Sequence, residues 1–147
     1  MQLPEIKIAV TFRGKKSELK SLTSAEDTAA VIRQLMSKDG LIHYREEMIV
    51  LCLNQGNKVI GYHRVSAGGQ TATVADLRMI ATLALNCTAN QIILAHNHPS
   101  GSLQPSSADI ALTRRAKEGL ALLDIRLLDH LIVTDERYYS FAEEGEL

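Results

Sequence analysis

The chain has 147 residues, 46% of them hydrophobic, which is enough for one domain with a real core. Sixteen Lys and Arg against seventeen Asp and Glu leave a net charge of −1, excluding any general attraction to nucleic acid or anionic membrane. No stretch reaches the ~18 apolar residues of a membrane span, no apolar signal core opens the chain, and Cys52 and Cys87 sit in apolar runs rather than in a disulfide framework. The expected compartment is the cytoplasm.

Ile6 to Phe12 alternates apolar and polar residues as a half-buried strand does, ended by Arg13-Gly14-Lys15-Lys16. Ser24-Ala25-Glu26-Asp27 reads as a capping box. It opens a helix with the apolar stripe Val31, Ile32, Leu35 and Met36, stopped near Asp39-Gly40. Strands are expected at Glu47–Leu53 and Lys58–Val65, joined by the turn-forming Asn54-Gln55-Gly56-Asn57. A small-residue loop begins at Ala67-Gly68-Gly69, and a helical period returns from Val74 to Cys87 through Leu77, Ile80, Ala81 and Ala84.

Gln91–Ala95 is nearly all apolar, as a central strand covered on both faces would be. His96 to Pro105 holds Pro99, Gly101 and Pro105 and reads as a loop. Helix is expected again at Ser106–Leu123, then closing strands at Ile125–Thr134 and Tyr138–Phe141. With no linker or internal repeat, this alternation predicts one α/β layer domain over residues 1–147, in which 1–42 supply an N-terminal strand and helix. The basic groups around Lys15 and around Arg114, Arg115 and Lys117, and the acidic tail Glu143, Glu144 and Glu146, read as solvated surface.

The chemistry gathers in the stretch from His96 to Asp109. Residues two apart on an extended chain point the same way, so His96 and His98 leave the strand end on one side. A histidine pair alone is more often satisfied polar surface than a metal site, and a third ligand is needed. Asp109 offers it. Leu112, Ala116, Leu120 and Leu123 follow it on one helical face, so Asp109 begins the buried side, where an ionised carboxylate needs a partner or a metal. The plainer reading of Ser106-x-x-Asp109 is a capping box, and for Ser106 both readings are compatible. Two imidazoles, one carboxylate and an open fourth position suit catalytic zinc, which lowers the pKa of water to about 7. A base is needed beside it. Glu46 and Glu47 precede the Met48–Leu53 strand on opposite apolar faces, and periodicity does not choose between them.

His96-x-His98, seven residues, Ser106, two residues, Asp109, with a glutamate ahead of an upstream strand, resembles the JAMM (MPN+) metalloprotease motif. Arg45-Glu46, the block from Ile92 to Gly101, Pro105-Ser106 and Leu127-Leu128-Asp129-His130 resemble the RadC family more closely, over residues 43–141. The resemblance implies a cytidine-deaminase-like three-layer α/β/α sandwich with a mixed central sheet. It also implies Zn²⁺ on His96, His98 and Asp109, Glu46 as catalytic carboxylate, and Ser106 helping to stabilise an oxyanion. Asp76-Leu77-Arg78-Met79 departs from the family's His-Pro-Arg-Glu-like helix start. The helix-hairpin-helix region of longer RadC proteins, linked to DNA binding, has no room here, so weak or no nucleic-acid binding is expected.

The leading expectation is hydrolysis of a peptide or isopeptide bond in a protein substrate. The literal triplet His96-Asn97-His98 brings HNH nucleases to mind, but those residues are dispersed in that motif, which has no use for the Ser106/Asp109 spacing. A third reading is a binding module in which zinc only stabilises the fold. His43, His63 and His130 are bystanders in each case, with His130 a core residue or a support for the metal ligands.

Overall fold

The computed structural model describes residues 1, 3–14, 19–37, 40, 42–67 and 75–147. The expected stops at Lys15-Lys16 and Asp39, and the small-residue stretch from Gly68 to Val74, lie outside the described residues. The elements are α1 (Ala25–Ser37), β1 (Glu47–Leu53), β2 (Val59–Ala67), α2 (Leu77–Asn86), β3 (Gln91–Asn97), α3 (Ser107–Ala121), β4 (Arg126–Val133) and β5 (Tyr138–Ser140).

The strands form one sheet in the order β2-β1-β3-β4-β5. β3 and β4 run parallel, with α3 as their crossover, and the other neighbouring pairs are antiparallel. Every residue of β1 and β3 is buried because helices cover both faces. On one face Ala29, Ile32 and Met36 of α1 pack on Ile49, Leu51, Ile93, Ala95 and Leu131. On the other, Ile80 and Ala84 of α2 and Ala116 and Leu120 of α3 pack on Met48, Val50, Cys52, Ile92 and Leu94. The result is the expected three-layer α/β/α sandwich with a mixed sheet.

Local chemistry explains the boundaries. Asp76, in the place of the family's usual helix start, caps α2 by accepting from the Arg78 N–H at 2.9 Å. Ser24 caps α1 through the Asp27 N–H at 3.1 Å, but the Asp27 carboxylate returns to the Thr23 N–H and hydroxyl, one residue earlier than a reciprocal box would. A Cβ at Gly119 would stand 2.9 Å from Leu77, so α2 and α3 meet more closely there than an alanine would leave them.

Three expectations need correction. Residues 6–12 form no strand, and Ile6, Ile8, Val10 and Phe12 are exposed. Alternation describes a side-chain pattern; a strand also needs a neighbour with unpaired backbone groups, and this stretch has none among the described residues. β3 runs two residues beyond Ala95, because His96 still pairs with Met48 and Ile132, and Asn97 with Val133. Leu123 falls past the end of α3 and is exposed, while Thr113 joins Asp109, Ala116 and Leu120 on the buried face.

Candidate metal centre

The end of β3 delivers the two histidines. His96 is fully buried and His98 follows on the rim, with their Nε2 atoms 3.0 Å apart. Asp109, in the first turn of α3, sets Oδ1 3.3 Å from His96 Nε2 and Oδ2 3.3 Å from His98 Nε2. It also completes a capping box: Ser106 Oγ accepts from the Asp109 N–H at 3.0 Å, and Asp109 Oδ2 accepts from the Ser106 N–H at 2.8 Å. Capping and convergence on the histidines therefore coexist in one carboxylate. The chain turns between strand and helix with the Gly101 N–H on the His98 carbonyl at 2.9 Å and Gly101 at φ +78°, a backbone conformation that favours glycine.

The fourth group is Glu46. Ligand atoms of Glu46, His96, His98 and Asp109 all lie within 4.8 Å of one another, the one such histidine and carboxylate cluster among the described residues. Glu47 points to the opposite face and is bound by the Arg64 guanidinium, which also reaches the Leu35 carbonyl of α1. Asn97 holds the segment that carries Glu46. Its Oδ1 accepts from the Glu47 N–H at 2.8 Å, and its Nδ2 donates to the Ile42 and Arg45 carbonyls at 2.8 and 2.9 Å. The middle residue of the triplet thus serves as a buried clamp on the face away from the histidines.

The donor set fits a cation. A backbone carbonyl only accepts, so the 2.9 Å contact between His98 Nδ1 and Ser102 O places a proton on Nδ1 and, in the neutral ring, a lone pair on Nε2. That lone pair faces a second imidazole nitrogen and a carboxylate. Separations of 3.0 to 3.3 Å approach the roughly 3.3 Å between ligands of a tetrahedral zinc site with its ~2.0–2.1 Å bonds. Burial alone would raise the Asp109 pKa, but the adjoining His96 and His98 rings, and then the Ser106 N–H, hold it well below the usual carboxylate range. His98 is shifted upward, chiefly by its hydrogen bond to Asp109, with burial acting against it. A proton on His98 and a metal ion are alternative ways to neutralise the same carboxylate.

His130 lies behind His96, fully buried, its Nε2 2.8 Å from His96 Nδ1 and its ring stacked on Phe141 at 5.0 Å. Burial, then the neighbouring His96, pushes its pKa well below the ordinary value. His43 is exposed beside Asp135, and His63 is exposed on β2; neither enters the cluster. A cleft of about 390 Å³ opens onto the centre between His43, Tyr44 and Glu46 on one side and His98, Pro99 and Ser100 on the other. A concavity of about 430 Å³ between α2 and α3, near Arg78 and Arg115, contains no member of the cluster.

A mixed α/β/α sandwich with two histidines, an aspartate and a glutamate converging at the end of its central strand is a scaffold built around a candidate metal site. The profile of the RadC-like JAB domain family matches residues 22–146. A UPF0758 protein of Flavobacterium johnsoniae is 43% identical over 128 residues, covering 87% of this chain and 54% of that protein. Similar proteins include a UPF0758 protein of Porphyromonas gingivalis, 51% identical over 70% of this chain and 46% of its own length. The UPF0758 protein YfjY of Escherichia coli is 47% identical over 70% of this chain and 64% of its own length. The chain belongs to the RadC-like JAB domain family, and it spans about half the length of the curated relatives it matches.

Proposed function

We propose that this chain is a zinc-dependent hydrolase of JAMM type that cleaves a peptide or isopeptide bond. The observation that carries this reading is the placement of Glu46. It stands among the three candidate ligands and lines the cleft, while its neighbour Glu47 is held by Arg64 on the other face.

His96, His98 and Asp109 would hold the ion. Zinc supplies Lewis acidity there, acidifying water toward neutral pH and polarising a carbonyl. Glu46 takes the proton of the attacking water and passes it to the leaving nitrogen, which cannot depart without it. The Ser106 oxygen already accepts from the Asp109 N–H, so its own proton is available to an oxyanion developing in the cleft. The substrate is a peptide or protein chain entering past Tyr44 and Pro99. A net charge of −1 supports weak, salt-sensitive nucleic-acid binding at most, and two unpaired cysteines fit a reducing compartment such as the cytoplasm.

Elemental analysis of the purified chain is expected to give about one zinc per molecule. His98→Ala and Asp109→Ala should each lose most of it. A peptide and isopeptide screen should reveal cleavage that a chelator abolishes and added zinc restores. Wild-type zinc content in both variants would overturn the ligand assignment. Retained zinc without chelator-sensitive cleavage would instead make the domain a zinc-stabilised interaction module.

A further inference from the structure

Three buried contacts run from the backbone of α3 to His96. Thr113 Oγ1 lies 2.7 Å from the Asp109 carbonyl oxygen and 2.6 Å from His130 Nδ1, and His130 Nε2 lies 2.8 Å from His96 Nδ1. Thr113, His130 and His96 are 3%, 0% and 0% exposed, so no water intervenes to relax the accounting of protons.

Two directions satisfy these contacts, and the metal reading selects between them. The first directs the single proton of the threonine hydroxyl to the Asp109 carbonyl, which can only accept. Thr113 Oγ1 must then accept from His130, which places the proton of neutral His130 on Nδ1. His130 Nε2 is left with a lone pair and accepts from the Nδ1–H of His96. With His96 neutral, its Nε2 is the bare nitrogen, and it is the atom that faces His98 and Asp109. The second runs the chain the other way: the hydroxyl donates to His130 Nδ1, the Asp109 carbonyl keeps its helical N–H alone, and a proton sits on His96 Nε2, where a ligand needs a lone pair.

From this, and resting on the metal reading above, we infer that Thr113 and His130 are positioning residues that fix His96 in its Nδ1–H tautomer and so select Nε2 as the ligand atom. A metal-ligating histidine usually donates its second N–H to a carboxylate, a carbonyl or water. Here the acceptor is a third histidine, and its own tautomer is set by a helix threonine. That threonine also bonds the backbone carbonyl of Asp109, so the support of the β3 ligand starts from the helix turn that carries the α3 ligand.

Long-range proton–nitrogen NMR of the histidine rings in the metal-free full chain reads the tautomers directly. Both His96 and His130 are expected to carry the proton on Nδ1. Thr113→Val should release the constraint, populate the Nε2–H form of His96 and weaken zinc binding 10–100-fold by chelator competition. Thr113→Ser, which keeps the hydroxyl, should restore both readouts. A wild-type spectrum with the His96 proton on Nε2 overturns the inference, and it does so even if Thr113→Val fails to fold. Wild-type tautomer and zinc affinity in a folded Thr113→Val chain overturn it too. A chain that shows these tautomers but binds no zinc would sink the metal reading while leaving the proton chain standing.

Discussion

On the α1 side of the sheet, Ile32 and Met36 meet Ile49, Leu51, Ile93 and Leu131 in an apolar layer, with the buried Glu47 carboxylate held by Arg64 at its end. On the α2 and α3 side, the layer of Met48, Val50, Ile92 and Leu94 gives way at the end of β3 to His96, His130, Thr113 and Asp109. The two layers specify different things. The apolar contacts of the first hold by area and shape and tolerate volume-conserving exchange. The second holds only if each polar atom finds its partner, so its tolerance is for geometry and proton placement rather than volume. Chemistry lives where one core face has been made polar and kept satisfied.

This contrast can be broken experimentally. The largest effect is expected at Glu46. Glu46→Gln should lower turnover by roughly 10²–10⁴ on any substrate found, with zinc content and melting temperature nearly unchanged, whereas Glu47→Gln should stay within a few-fold of wild type in rate. A sensitive Glu47 and an indifferent Glu46 would assign the base to the wrong face.

Next comes the apolar side. Ile32→Ala, at a fully buried position, should cost about 3–4 kcal/mol in denaturant unfolding and leave zinc affinity of the folded chain unchanged. Loss of zinc affinity in that variant would show the two faces to be coupled.

Asn97→Ala is intermediate, since it removes three hydrogen bonds that join the Ile42–Glu47 segment to β3. A loss of about 2 kcal/mol in stability is expected, together with a rate defect that exceeds any change in zinc affinity. Equal losses in rate and affinity would mean that Asn97 supports the ligands rather than the base.

The smallest effect concerns pH. In the metal-free chain the raised pKa of His98 means that its protonated form adds stability below about pH 6.5, lost as pH rises through the raised value. Zinc must displace that proton. The rise in melting temperature on adding zinc should therefore be larger at pH 8 than at pH 6. His130, buried and neutral with or without the ion, cancels from the difference. Identical rises at both pH values would remove His98 Nε2 from the metal centre.

The sequence carried the parts of this structure that depend on near neighbours. β1 was legible to the residue, and Ser106 with Asp109 was readable as a cap because the box closes within one turn. Asp109, Ala116 and Leu120 on the buried side of α3 were readable from its period, while Leu123 was not part of it. What depended on a distant partner was not. Ile6–Phe12 has the alternation of a strand, but no local feature says whether a neighbour will be there to pair with it. Glu46 and Glu47 were indistinguishable until Arg64, on the next strand, took one of them. Asn97 read only as a letter in a triplet, since its partners lie about 50 residues upstream. Thr113 was passed over, and it meets His130 only through the parallel register of β3 and β4 and the packing of α3 across them. A polar residue within an otherwise apolar helical stripe, facing a strand that also contains a histidine, was the available signal.

The candidate ligands and their base come from very different lengths of chain. His96 and Asp109 are 13 positions apart, joined by a capped turn, whereas Glu46 stands 50 positions before His96. Closing the longer loop costs roughly 1.2 kcal/mol more chain entropy than closing the shorter one, by logarithmic scaling with length. The strand-end histidines and the helix start can therefore come together in a chain that has not yet docked β1 on β3. The cheaper order of assembly gathers the three candidate ligands before the strand that follows Glu46 docks on β3.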